Sequence, residues 1–146
     1  MTPKMQKTES YIIVDRSLSL EPYYDDIEKI YVSNGWGTHY SRATLYRMFE
    51  HCHYWVALKG NSAVGLIRAF SDSISVSHLS EILVEKTHQG LGVGDALMKV
   101  LIKNLGHTTI YADVLGTQSP ILFQKFGLQE KTKFTVFARR ALSESR

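Results

Sequence analysis

Three glycines stand at alternate positions in the run Gln89-Gly90-Leu91-Gly92-Val93-Gly94, after an apolar stretch and before a helical pattern. A turn without side chains between a strand and a helix brings orphan backbone N–H groups, and the positive end of the helix dipole, close to a ligand. An anion suits such a turn, and phosphate is the expected one. The spacing excludes two common phosphate loops. A P-loop needs four residues between glycines and then Lys-Ser/Thr, and neither is present. A dinucleotide-binding turn needs G-x-G-x-x-G, whereas here the third glycine comes one residue early. The only acidic residue near the required later position is Asp113. The triplet His51-Cys52-His53 has metal-ligating residue types but lacks a second pair at suitable spacing, so no metal is expected.

The elements that position these residues follow from periodicity. Residues 11–16 are β-branched and read as a first strand. In "EPYYDDIEKIY", Tyr23, Ile27, Ile30 and Tyr31 share one helical face, with Pro22 in the first turn. After the glycine-punctuated loop of residues 33–40, Ser41 caps a second helix whose Leu45, Met48, Phe49 and Cys52 face inward. Residues 53–58 and 64–70 read as a hairpin and "ISVSHLSEILVE" as a further strand. A third helix follows the glycines with Leu97, Val100, Leu101 and Asn104 in a stripe and Gly106 at its end. Residues 108–114 form a strand, "SPILFQKFG" a short helix, and "TKFTVFARR" a last strand. The expected architecture is α/β, with antiparallel hairpins preceding one β-helix-β crossover around the glycines.

At 146 residues the chain fits one domain spanning 1–146, with residues 1–9 a loose polar leader. Hydrophobic residues make up 44% and charged residues 21%, and no apolar run approaches the roughly 20 residues of a membrane span. A cytoplasmic protein without membrane partners is expected, and the single Cys52 excludes an internal disulfide. The 17 basic residues exceed the 14 acidic ones by three, and they are scattered, which speaks against nucleic acid but suits a small anionic ligand.

The pattern Q-x-x-G-x-G from Gln89 to Gly94 resembles the acyl-CoA pyrophosphate loop of the GNAT superfamily of N-acetyltransferases. "LSEILVEKTHQGLGVGDALM" is similar to that family's fourth strand, loop and third helix, and "SPILFQKFGLQE" to its later motif. "NGWG", "VGLIRAFSDS" and "LSEILVE" are similar to small bacterial and plastid general N-acetyltransferases. The resemblance implies a mixed, mostly antiparallel central sheet of six or seven strands flanked by about four helices. It also implies transfer of acetyl from acetyl-CoA, as co-substrate, to a primary amine by direct attack, with no metal. The family often dimerises through edge strands, so a homodimer is compatible with the chain.

Carried over residue by residue, the resemblance places the pyrophosphate on the N–H groups of Gln89, Gly90, Leu91, Gly92, Val93, Gly94 and Asp95. It lays the pantetheine against Leu83 and Val84, with Leu83 N–H stabilising the oxyanion. Glu81 is the candidate general base, and Glu85 and Asp113 are alternatives. Relatives usually carry a tyrosine where this chain has Phe123, so the proton for the leaving thiolate must come from water, Ser119 or Tyr111, and Phe123 is expected to wall the acyl-CoA channel. Gly116 replaces a frequent asparagine, which removes a pantetheine contact. Trp36, Tyr40 and Asp72 are candidates for the acceptor pocket. The rival reading, favoured by Phe123, is an acyl-CoA-binding regulatory or interaction module with little turnover.

Overall fold

The computed structural model describes residues 10–36, 39–114 and 120–142. In chain order the elements are β1 (Ile12–Val14), α1 (Tyr24–Ser33), α2 (Arg42–Glu50), β2 (His53–Lys59), β3 (Ser62–Ser71), β4 (Val76–Val84), α3 (Val93–Leu105), β5 (Thr109–Ala112) and α4 (Ile121–Lys125). Short 3-10 turns at Glu21–Tyr23 and Lys86–His88 precede α1 and the glycine loop. The five strands make one sheet in sequential order, antiparallel from β1 to β4, and β5 joins β4 in parallel through the α3 crossover.

The sheet separates two apolar layers. On one face, Ile27, Ile30 and Tyr31 of α1 and Leu45 and Phe49 of α2 pack against Tyr54, Val56, Leu66 and Leu83. On the other, Val93, Leu97, Met98, Leu101 and Leu105 of α3 pack against Trp55, Ala57, Ile67, Ala69 and Leu79. Gly65 lets α3 approach β3, because a Cβ there would lie 2.9 Å from the Val93 side chain.

A register shift in the β3–β4 ladder decides what the site contains. Arg68 pairs with Glu81 and Ala69 with Leu79, which leaves Ser80 as an extra residue in β4. Strand side chains alternate faces, so the extra residue reverses the alternation. Leu79 packs toward α3, whereas Glu81, two residues on, meets Tyr31 of α1.

The expected six or seven strands reduce to five among the described residues, because "TKFTVFARR" forms no ladder. Its alternating apolar residues satisfy the pattern of a strand, but a strand also needs a partnered edge and a covered face. Phe134, Val136 and Phe137 are instead 62–93% exposed. The expected four helices form, with Ser41 capping α2 through the Thr44 N–H at 3.1 Å, as its sequence position implies. No helix among the described residues is long and apolar enough to cross a membrane.

Candidate active site

β5 pairs with β4 only from Val76 to Leu79, where Leu79 lies opposite Ala112. Beyond that point the two strands part, and, among the described residues, 80–84 keep β3 on one edge and pair with no strand on the other. The pocket at this fork is lined by Trp36, Leu79, Ser80, Glu81, Ile82, Ala112, Asp113 and Phe123.

Glu81 is the most constrained group here. Arg68 Nε lies 2.6 Å from its Oε2 and Arg68 Nη2 3.2 Å from its Oε1, a bidentate pair between direct cross-strand partners. The Tyr31 hydroxyl also donates to Oε2, and the Ser80 hydroxyl donates to Oε1 at 2.5 Å. The Glu81 side chain is 1% exposed and Arg68 is 11% exposed, so the pair is a buried one. Burial, and then the charge of Glu81, push the Tyr31 phenol far above its ordinary range, which keeps it a donor. Burial opposes the charge on Arg68, but the bond to Glu81 outweighs it and holds the guanidinium's pKa above its usual value. Arg68 is further stacked over the rings of Phe49 and Phe70, each at 5.6 Å.

Glu81 lines the pocket with four donors already on its carboxylate. Arg68, Tyr31 and Ser80 were missed as site residues. The available signal was charge within apolar runs: Arg68 in "VGLIRAF" and Glu81 in "SEILVE" each need a partner when buried. Asp113 also lines the pocket, and its carboxylate is 3.4 Å from His78 Nε2. Glu85 turns away: it accepts from Thr87 and His88 within the 3-10 turn, and the Thr87 hydroxyl, followed by His88, holds its carboxyl below the usual range.

The oxyanion assignment to Leu83 is corrected by the register. Glu85 N–H bonds Val64 O of β3 at 2.8 Å, and alternate N–H groups along a strand share an edge. Leu83 N–H thus faces β3, while those of Ile82 and Val84 face the open edge. The Val84 carbonyl accepts from Gln89 Nε2 at 2.9 Å and Asn34 Nδ2 at 3.0 Å, so the Gln89 side chain ties the loop to the strand and to α1.

Within the loop, Gly90 and Gly92 sit at φ 79° and 89°, a region L-residues rarely enter, and Gly92 is the N-cap of α3. Gly94 has no positive φ, but a Cβ there would lie 3.3 Å from the Leu122 side chain of the neighbouring α4, a tight contact. Leu91 is exposed and Val93 is buried beneath the helix start. Asp95, in the first turn of α3, is paired with Lys125 of α4, which offsets a negative charge at the N-terminal end of the helix.

Phe123 is buried, at 7% exposure, and lines the pocket. Trp36 lines the pocket, but Tyr40 packs edge-on against Tyr31 at 5.2 Å. Asp72 lies apart, in the β3–β4 turn, where its carboxylate accepts from the N–H groups of Ile74, Ser75 and Val76 and from the Ser75 hydroxyl. That is a turn-closing role, not a place in the pocket. Ser119 and Gly116 lie outside the described residues. The three residues of the His-Cys-His triplet diverge: His51 meets Glu50, Cys52 is buried, and His53 approaches Ser73. No group of three metal-ligating residues occurs among the described residues.

Comparison with known proteins agrees with the fold. Solved structures with this fold include a GNAT family acetyltransferase from Streptococcus pneumoniae, with a TM-score of 0.71, 18% identity, and coverage of 93% of this chain and 100% of that one. An aminoglycoside acetyltransferase from an uncultured soil metagenomic sample, in complex with trehalose, matches at TM-score 0.70 and 13% identity over 91% of this chain and 97% of that one. An acetyltransferase from Trypanosoma brucei matches at TM-score 0.65 and 13% identity over 91% and 100% of the two chains. No curated protein sequence matches. The sequence itself fits the family model described as the acetyltransferase (GNAT) family over residues 20–127, from before α1 to the end of α4. With most of its length matched, this chain belongs to the GNAT acetyltransferase family.

Proposed function

We propose that the protein is an N-acetyltransferase that moves acetyl from acetyl-CoA to a primary amine within a ternary complex. The observation that carries this reading is the edge of β4 over residues 80–84, which pairs with no strand among the described residues and lies between Glu81 of the pocket and the Val84 carbonyl that Gln89 of the glycine loop caps. An extended pantetheine with amide groups can hydrogen-bond such an edge, while the N–H groups at the head of α3 meet the pyrophosphate. The thioester is already activated, so the chain's task is alignment, proton removal and oxyanion stabilisation. The amine loses one proton, its nitrogen bonds the acetyl carbon, and the C–S bond breaks. The second N–H proton is lost as the amide forms, and the thiolate takes up one proton.

Glu81 remains the proposed sink for the first proton, reached through Ser80. The Ser80 hydroxyl lines the pocket and donates to Glu81 Oε1 at 2.5 Å, so it can accept from the amine while passing its own proton inward. Ile82 N–H, on the open edge, is the proposed oxyanion donor. Phe123 cannot protonate the thiolate, and Tyr111 lies outside the pocket lining, which leaves water or Ser119 as the proposed donor.

A second reading is supported by Phe123 and by the saturated carboxylate of Glu81: an acyl-CoA-binding module with little turnover. Calorimetry with CoA, followed by free-thiol release from acetyl-CoA over a panel of amines, separates the two. Binding with turnover supports the enzyme, binding without turnover supports the module, and no CoA binding overturns both.

A further inference from the structure

Phe70 of β3, His78 of β4 and Tyr111 of β5 are successive cross-strand partners: Phe70 lies opposite His78, and His78 opposite Tyr111. All three occupy the α1 side of the sheet. In β3, Ile67 and Ala69 face α3, so Arg68 and Phe70 face the other way. In β5, Ile110 and Ala112 pack toward α3, which turns Tyr111 to the opposite side. In β4 the bulge at Ser80 puts His78 on the same side as Glu81.

Here α1 and α2 no longer cover the sheet. Phe70 is 46% exposed, Tyr111 is 41% exposed, and the His78 side chain is 48% exposed. The ring of Phe134 extends the strip, with its centroid 6.1 Å from that of Tyr111. The strip ends at Asp113, which is paired with His78 and lines the pocket at the fork of β4 and β5.

Charge along this face selects among amines. Glu81 is occupied by Arg68, and Asp72 is occupied by the β3–β4 turn. Asp113, with its side chain 59% exposed, is thus the carboxylate of the pocket best placed to meet a cation, and the Arg68–Glu81 pair, neutral as a whole, offers no site for a second one. Aromatic rings favour an apolar body or an aryl ring over a polyol.

We propose that this strip binds the acceptor, with Asp113 taking the ammonium and Phe70, His78 and Tyr111 holding an aryl or alkyl body, so that the substrate class is monoamines on an apolar group. The proposal rests on the acetyl-transfer reading and deepens it. A polyamine or an aminoglycoside carries several cations and fits this surface poorly.

The test uses the full chain with phenethylamine, spermidine and kanamycin as acceptors. Phenethylamine is expected to give the highest kcat/KM. Asp113→Asn is expected to raise its KM roughly 10–100-fold, the range for losing a charged partner. Tyr111→Ser should raise it about tenfold, Tyr111→Phe should not, and the KM for acetyl-CoA should stay unchanged in all three. If turnover is too low to measure, binding of phenethylamine to the CoA-saturated protein by calorimetry gives the same comparisons. Absence of CoA binding overturns the acetyltransferase reading itself. CoA binding with no phenethylamine binding, a preference for spermidine or kanamycin, or silence of Asp113→Asn overturns only the present proposal. Light scattering that shows a wild-type dimer turned monomeric by Tyr111→Ser also overturns it, since the strip would then be a self-association surface.

Discussion

Arg68 and Glu81 face each other across β3 and β4 as a bidentate ion pair, directly beside the bulge that turns Glu81 toward α1. With Tyr31 and Ser80 they form a network in which each carboxylate oxygen has two donors. Such a pair is a weak source of net stability when whole, because desolvation offsets the attraction, but breaking it strands a buried charge.

The corresponding prediction concerns stability. Arg68→Met and Glu81→Gln should each destabilise the fold by about 3–5 kcal/mol, the usual cost of removing one partner of a buried pair. The double variant should be much less unstable than the sum of the two. Urea unfolding of the four proteins measures this, and additive losses would mean that the pair is not coupled.

The glycine loop gives a prediction about ligand binding. Gly92→Asp adds bulk, strain at φ 89° and negative charge at the head of α3, whereas Gly60→Asp imposes comparable strain at φ 61° in the distant β2–β3 turn. The Gly92 variant should lose at least about tenfold in CoA affinity while the Gly60 variant retains it, because only the first opposes an anion at a helix N-terminus. Equal affinities by calorimetry, with both variants folded, would remove the phosphate assignment.

Much of this arrangement was legible in the sequence because it depends on local periodicity. The α3 helix, the strands of the hairpin and the Ser41 cap each carry their own pattern, although Asn104 of the expected α3 stripe is exposed and Met98 and Leu105 are buried in its place. Registers do not. Nothing in "SHLSEILVE" marks Ser80 as the extra residue, and without that bulge Glu81 would point toward α3, away from Tyr31 and Arg68. The same limit affects Leu83, whose N–H direction follows from ladder register. "TKFTVFARR" failed for the opposite reason: its local pattern is right for a strand, but a strand's existence depends on a partner edge that no local pattern encodes.

Asp72 provides a prediction with a definite pH sign. Bonds from Ser75, by side chain and then backbone, with those from Ile74 and Val76, hold its carboxyl well below the ordinary aspartate range. A group with a depressed folded-state pKa stabilises the fold above its unfolded pKa of 3.8 and loses that contribution as the pH falls through the folded value. Asp72→Ala should therefore lower Tm at pH 7, and the gap from wild type should shrink only in strong acid. Amine turnover should be untouched, since Asp72 lies outside the pocket. A gap independent of pH down to 2, or a raised KM for the amine, would contradict the turn-closing role.

Phe123 supports the last prediction. It walls the same pocket as Glu81 and Asp113, its ring is buried, and the family resemblance implies a tyrosine at this position. A thiolate of ordinary basicity, with a pKa near 8.5, can leave without a dedicated acid at neutral pH, so the missing phenol should slow the reaction without abolishing it. Phe123→Tyr adds one hydroxyl to the pocket wall. If that hydroxyl reaches the sulfur, kcat at pH 7 should rise, and the gain should fade toward pH 9 as protonation of the thiolate matters less. The KM for the amine should stay constant, because the acceptor strip lies on Asp113 and Tyr111. Steady-state rates from pH 6 to 9, with circular dichroism to confirm folding, measure both parameters. A variant no faster at any pH would show that thiolate protonation does not limit the rate or that position 123 does not face the sulfur.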